Sequence, residues 1–427
     1  MTTATATAAE AHTDVTHLDG VDLTALAAQV PTPFHAYSAG YLRERIDALH
    51  DALEGLDFQV CYAVKANANI AILQLMADAG VGADIVSSGE MQRSLRAGIS
   101  PTRIVFSGVG KSAGEIVDAL EAGIGRFNVE SEDELHLLQR LAAERNVTAH
   151  ASVRVNPDVD ARTHAKISTG KSENKFGVSI EEARRWFAAS SLLTHVRLDG
   201  LHMHIGSQML SVEPVRAALQ RVVALWRELV EAGHEINCID VGGGLGVCYH
   251  EGRDKPVPVE EYARVIREEL ADFDGRILLE PGRWLVAEAG VLLTRVLRVK
   301  HGQSRYFLVL DAAMTELIRP CLYDAWHEIV PVTHERRPLR AYDVVGPVCE
   351  TSDTFARDRE LPQCVAGDLM MIKATGAYGA AMASGFNSRP LAAEVLLDDG
   401  RYAVIRKRQS FDDMIADEQP AQHWETA

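Results

Sequence analysis

From about residue 58 to residue 285, short β-branched or apolar runs alternate with longer segments in which apolar residues recur at helical spacing, the pattern of repeated βα units. Eight runs read as strands: FQVCYAV ending near Val64, GADIVSS near Ser87, RIVFSG near Gly108, RFNVES near Ser131, HASVRVN near Asn156, LDGLHMHIG near Gly206, CIDVGGG near Gly244 and RILLEPG near Gly282. Helical stretches such as ANIAILQLMADAG, GEMQRSLRAGI, SEDELHLLQRLAAERN and VRAALQRVVALWRELVEAG lie between them, each closed by a Gly or Asn stop signal. Eight such units predict an α/β fold with a (β/α)8 barrel over residues 41–290, whose reactive groups cluster at the C-terminal ends of the strands. Beyond residue 290 the runs GVLLTRVLRVK, RYFLVLD, LRAYDVVGP, DLMMIKA, AAEVLLDD and RYAVIRK predict a second, sandwich-like or barrel-like β domain over residues 291–415. The run TPFHAYS, within residues 31–40, is strand-like and is expected to join that β domain. Residues 1–30 and 416–427 read as flexible tails.

Composition narrows the partners. Acidic residues outnumber basic ones, 60 to 43, and the resulting net charge of -17 repels a nucleic-acid backbone or an anionic bilayer. The six cysteines form no CxxC pair, which speaks against a zinc knot or a disulfide framework and fits a reducing cytoplasm. The first residues contain no basic segment followed by an apolar one, and no apolar run reaches the roughly 18 residues of a membrane span. Neither a membrane nor a nucleic acid is therefore an expected partner.

Chemistry gathers at the predicted strand ends. Lys65 follows QVCYAV. A lysine there is often only solvated, but buried beside a cationic neighbour it would lose its proton and become able to form an imine. The run VGGGLG at 241–246 follows the seventh strand, where barrels commonly bind phosphate, although three glycines can also be a tight turn. EPGRW at 280–284 ends the eighth strand with a carboxylate and a guanidinium, either an ion pair or a pair of ligand contacts: Glu280 for a pyridine nitrogen and Arg283 for a carboxylate. His202 and His204 alternate in LHMHIGS. An H-x-H pair can ligate metal, but the other strand ends, with Lys65, Asp84, Arg154 and Glu280, supply no second histidine cluster, so no metal is expected. His202 reads as a satisfied core histidine.

CYAVKANAN, TGKSENKFGV, HMHIGSQ, DVGGGLG, LLEPGRW, LIRPCLYDAWHEI, GPVCETSD and GAYGAAMASGFNSRP follow one another over roughly residues 30 to 415. In this order they resemble the motifs of the fold type III pyridoxal-phosphate-dependent decarboxylases, and within them those of the diaminopimelate decarboxylases. The resemblance implies decarboxylation of meso-diaminopimelate to L-lysine, the last step of lysine biosynthesis, in a head-to-tail homodimer with shared active sites. It implies that Lys65 is the Schiff-base lysine, that His204 stacks on the cofactor ring, and that Glu280 contacts the pyridine nitrogen. Ser207, Gly243, Gly244, Gly282, Arg283 and Tyr378 correspond to the phosphate cradle, and Asp84 and Arg154 to positions near the ring. Substrate contacts fall on Arg283, Arg319, Tyr323, Glu350 and Tyr378, with Cys349 a catalytic candidate that, like Glu350, would come from the partner chain. One departure is CETSD, where many members read CESGD. The alternative within this class is decarboxylation of ornithine, lysine, arginine or a carboxylated polyamine, for which an arginine in the distal pocket would stay unpaired.

Overall fold

The computed structural model describes residues 16–160, 175–333, 335–421 and 424. Its centre is a closed, all-parallel barrel of eight strands: Phe58–Ala63, Gly82–Ile85, Ile104–Phe106, Arg126–Val129, Ala149–Arg154, Val196–His202, Cys238–Asp240 and Arg276–Leu279. The eighth strand closes onto the first, Ile277 lying beside Phe58. Each of the eight predicted runs supplies one strand, and the glycine-rich residues that end the seventh run form a loop.

The intervening helices are set by local signals. Ser87 and Ser131 cap their helices by accepting from the amides of Glu90 and Glu134. Gly80, Gly98, Asn146 and Gly233, each just past a helix cap, have φ of 71°, 94°, 51° and 90°, the left-handed conformation that ends a helix. Apolar stripes such as Ile72, Leu73 and Met76 or Leu219, Val222 and Val223 are buried against the barrel wall, and each such side chain stabilises the fold by about 1.5–3 kcal/mol.

A second sheet lies beside the barrel. Its strands run in the order Thr354–Pro362, Leu339–Val345, Tyr306–Leu310, Gly290–His301, Phe34–Ser38, Ala393–Asp398 and Arg401–Arg406, and Leu369–Ile372 pairs both with Gly290–His301 and with Ile329–Pro331. Phe34–Ser38 is an inner strand, antiparallel to Gly290–His301 and parallel to Ala393–Asp398. It lies at the start of the chain, yet Tyr37 Oη donates to Glu394 Oε2 at 2.5 Å across 357 positions.

The flexible tail expected over residues 1–30 needs correction for its described part. His17–Leu18 and Val21–Asp22 form a small hairpin, and Leu23–Gln29 is a helix whose first amides are accepted by Asp22. Leu23, Leu26 and Ala27 pack with Phe34, Leu293 and Val395; the burial of this apolar stripe holds the segment in place. Residues 1–15 and most of the last six lie outside the described residues, as do 169–174 of the TGKSENKFGV motif. Among the described residues no helix is long and apolar enough to cross a membrane.

Candidate active site

A cavity of about 650 Å³ opens at the C-terminal ends of the barrel strands. Lys65, His204, Ser207, Gly244, Glu280, Gly282, Arg283, Arg319, Tyr323 and Tyr378, ten of the residues singled out in the sequence, line it. The loops after the first, sixth, seventh and eighth strands bring most of them there. Arg319 and Tyr323 arrive on a short helix, Arg319–Tyr323, from the second sheet's part of the chain.

Lys65 Nζ lies 3.0 Å from Asp84 Oδ2. The cationic neighbour expected for this lysine is therefore replaced by an anion. Burial works to lower the lysine's pKa, but the carboxylates of Asp84 and Glu280 outweigh it and hold the amine protonated, above its ordinary value. The physical reason is proximity: a carboxylate at contact distance favours the ammonium more than burial disfavours it. Asp84 is fully buried, and its other oxygen, Oδ1, has no hydrogen-bond partner. Arg154 does not reach the cavity lining. It pairs with Glu130 at 2.9 Å, and its charge bears on His204 from behind.

Glu280 is the most heavily supported acid of the site. Its Oε2 accepts from His202 Nε2 at 3.2 Å, and its Oε1 accepts from Asn128 Nδ2 at 3.1 Å and Ser107 Oγ at 3.3 Å. Burial opposes its charge, yet His202 at its side and Lys65 nearby hold its carboxyl well below the usual carboxylate range. The adjacent Asp240 is pushed the other way by burial and by Glu280. Of this buried pair, then, Glu280 carries the charge and Asp240 the proton. His202 accordingly does more than fill the core. His202, Asp240 and Glu280 bring ligand atoms within 4.8 Å of one another, but Glu280 and His202 are joined directly by a hydrogen bond.

His204 sits just beyond its strand, and its Nδ1 accepts from the Gly243 amide at 3.2 Å. Burial, with Arg154 and Lys65, pushes its pKa down to about 3, so the ring is neutral. In the glycine loop a Cβ on Gly243 would stand 2.1 Å from the Glu280 carbonyl oxygen, and one on Gly244 would stand 2.4 Å from that of Gly206. Only glycine permits this approach. The amides of Gly242, Gly243 and Gly246 are bonded to Asp240, His204 and Met209. Those of Gly244 and Leu245, which line the cavity, have no acceptor among the described residues.

Arg283 and Arg319 are buried and line the cavity. Arg283 donates to Ser207 Oγ at 3.0 Å and to Tyr249 Oη at 2.7 Å, and lies over the Tyr378 ring. Arg319 donates to His327 Nε2 at 2.7 Å and lies over the Tyr249 ring. Cys349 and Glu350 are exposed and do not reach this cavity within their own chain. Neither Thr351 nor Ser352 has positive φ, so the CETSD departure needs no glycine.

Residues 39–287 match the family model described as the pyridoxal-dependent decarboxylase, pyridoxal binding domain. A diaminopimelate decarboxylase of Zymomonas mobilis is 47% identical over 405 residues, covering 94% of this chain and 96% of the relative. The chain belongs to the diaminopimelate decarboxylase family. Among solved members, the Helicobacter pylori diaminopimelate decarboxylase complexed with L-lysine is 42% identical and superposes with a TM-score of 0.89 over 92% of this chain and 98% of that one. The M. jannaschii enzyme in co-complex with L-lysine is 35% identical, with a TM-score of 0.91 over 95% and 96%. The family's cofactor, pyridoxal phosphate, fits the residues present. The amides of Gly244 and Leu245 are free for a phosphate, Lys65 supplies an amine, and Glu280 is a buried anion of the kind a protonated pyridine nitrogen requires.

Sequence reasoning missed His202, Asn128 and Asp240 behind Glu280, and Tyr249 and His327 around the arginines. A signal existed for the first group: polar residues at buried positions of otherwise apolar barrel strands.

Proposed function

We propose that this protein removes carbon dioxide from meso-diaminopimelate to give L-lysine, with pyridoxal phosphate as cofactor. The observation that carries this reading is the pairing of Lys65 and Glu280 with two buried guanidiniums, Arg283 and Arg319, whose protein partners are all neutral. A buried cation without a counter-charge is costly unless an anion arrives with the ligand. The cofactor phosphate brings one such anion to Arg283, and Arg319 is left for a substrate carboxylate other than the one removed; a diamino diacid has such a carboxylate, whereas ornithine or lysine has none.

When bound, pyridoxal phosphate supplies an electron sink for the electron pair left by the departing carboxylate. The protein's part is then one of placement. Lys65, after passing its proton to the adjacent Asp84 carboxylate, would hold the cofactor covalently, and the ionised Glu280 would keep a proton on the ring nitrogen. The neutral face of His204 packs against the ring, and the Gly244 and Leu245 amides with Ser207 and Arg283 hold the phosphate. Arg319, Tyr323 and Tyr378 orient the substrate's far end, and Asp84 fixes the Lys65 amine. Cys349 and Glu350, exposed on their own chain, are contributed to the site of a second copy: Glu350 receives the distal ammonium, and Cys349 is placed to move a proton. The working form is a homodimer in the cytoplasm; six unpaired cysteines fit that reducing compartment.

The test is lysine release from meso-diaminopimelate measured beside ornithine, lysine and arginine. Turnover of diaminopimelate alone is expected, and preferential turnover of ornithine or arginine would overturn the assignment.

A further inference from the structure

Outside this cavity, cations held in the interior are matched by carboxylates. Lys111 meets Glu134 at 2.7 Å, Arg126 meets Asp199 at 2.6 Å, and Arg154 meets Glu130 at 2.9 Å. Arg319 has no such match among the described residues, and the group that holds it is His327.

The tautomer of His327 follows from its partners. Its Nδ1 lies 2.8 Å from the Lys373 carbonyl oxygen, which can only accept, so Nδ1 carries the hydrogen. Its Nε2 lies 2.7 Å from Arg319, which can only donate, so Nε2 is bare. Both contacts demand the same neutral ring. A proton added at Nε2 would face the guanidinium N–H directly. His327 is 1% exposed, and burial, with Arg319 close by, pushes its pKa down to about 3. Tyr249 packs edge-on against the imidazole at 5.2 Å and carries Arg319 over its ring at 4.2 Å. The nearest acid in sequence, Glu328, is engaged elsewhere, accepting from Trp326 Nε1 at 3.0 Å and facing Arg359 at 3.7 Å.

We infer that His327 is a positioning residue of substrate recognition: its bare Nε2 fixes Arg319 in place without neutralising it, so that the cavity selects a ligand end that bears a carboxylate. The inference rests on the proposed diaminopimelate reading and deepens it. In that reading the carboxylate Arg319 meets is the one that survives the reaction, so the product carries it as well. A carboxylate in place of the imidazole would hold Arg319 equally well and cancel its charge. An amide would hold it and leave the charge free.

The test compares His327→Glu with His327→Gln and uses L-lysine and 1,5-diaminopentane as competing ligands, which differ by one carboxylate. In His327→Glu the KM for diaminopimelate and the inhibition constant for lysine are expected to rise by about tenfold or more, while that for diaminopentane does not rise. The loss appears in KM rather than kcat. His327→Gln restores most of the discrimination. Parallel weakening of both ligands in His327→Glu, or an unchanged ratio between them, overturns the inference. If His327→Glu does not fold, His327→Leu reads the same ratio, because removing the acceptor lets Arg319 leave its position; an unchanged ratio there is equally fatal. Should the wild-type protein fail to decarboxylate diaminopimelate, the functional reading falls. The lysine to diaminopentane ratio, read from the cofactor's absorbance, then still decides the role of His327.

Discussion

Replacing Glu280 by glutamine tests the centre of the proposed site, because it removes one charge and changes little in shape. In the wild-type protein both carboxylate oxygens accept, from His202, Asn128 and Ser107, and the ionised group faces the cavity. The amide keeps one accepting oxygen and turns an NH2 toward either the His202 N–H or the Asn128 amide, so one donor is set against another. A hydrogen bond to a charged group contributes about 1.5–3 kcal/mol. At about 1.4 kcal/mol per factor of ten, losing it at the ring nitrogen lowers kcat by roughly 10- to 150-fold. The opposed donors cost about 1–3 kcal/mol of stability as well. The assay is lysine release at saturating diaminopimelate, read beside the cofactor's visible absorbance and a thermal melt. Cofactor retention, a lowered melt and the stated loss of kcat are expected. A variant that binds cofactor and turns over at the wild-type rate would refute the electron-sink role of Glu280.

Lys65→Ala should abolish turnover and the imine absorbance while the fold persists; borohydride fixing the cofactor to another lysine of the wild-type protein would show that Lys65 is misassigned. Inactive Lys65→Ala and Glu350→Ala proteins, mixed and allowed to exchange subunits, should recover part of their activity, since one site of each heterodimer contains neither substitution; verified exchange without recovery contradicts the shared site. Stability should fall as pH drops below about 6.5. His35 and His327 are buried neutral, with pKa values pushed down to about 4 and about 3, so the unfolded chain binds protons that the folded one refuses. At pH 5 each contributes a loss of about 2 kcal/mol. Denaturant midpoints at pH 7 and pH 5, compared between wild type and His35→Asn, isolate the share of His35; equal slopes in the two proteins argue against it.

The barrel was legible because each strand is a short β-branched run stopped by Gly, Asn or Ser, and because Lys65, the glycine loop and Glu280 sit where such runs end. The strand Thr354–Pro362 escaped notice because the consecutive charged residues Arg357, Asp358, Arg359 and Glu360 interrupt its apolar pattern. The hairpin and helix of residues 17–29 were hidden by a polar, Thr/Ala-rich beginning, and only tertiary burial reveals their stripe. The polar residues behind Glu280 could be seen on their strands, but their convergence on it could not: His202 lies 78 positions away and Asn128 lies 152 away, joined to it only by closure of the barrel. The protonation of Lys65 depends likewise on Asp84, which reaches it from the next strand. A linear sequence offers residue types at strand ends but not the charge that each will face.

The strand Phe34–Ser38 has a consequence for how the molecule is made. It is synthesised before the barrel strands, yet one of its neighbours is Gly290–His301 and the other is Ala393–Asp398. Throughout synthesis of the barrel it has no partner, and its last ladder forms only after residues 393–398 have emerged. Pairings so distant in sequence are slow, because loop closure must precede any return in contacts. The nascent chain therefore carries an unpaired apolar strand while the barrel is made, an opening for strand-to-strand association between neighbouring chains. Truncation before residue 393 would leave the edge that faces Ala393–Asp398 permanently open, and the expected phenotype of such a chain is aggregation rather than a smaller active enzyme.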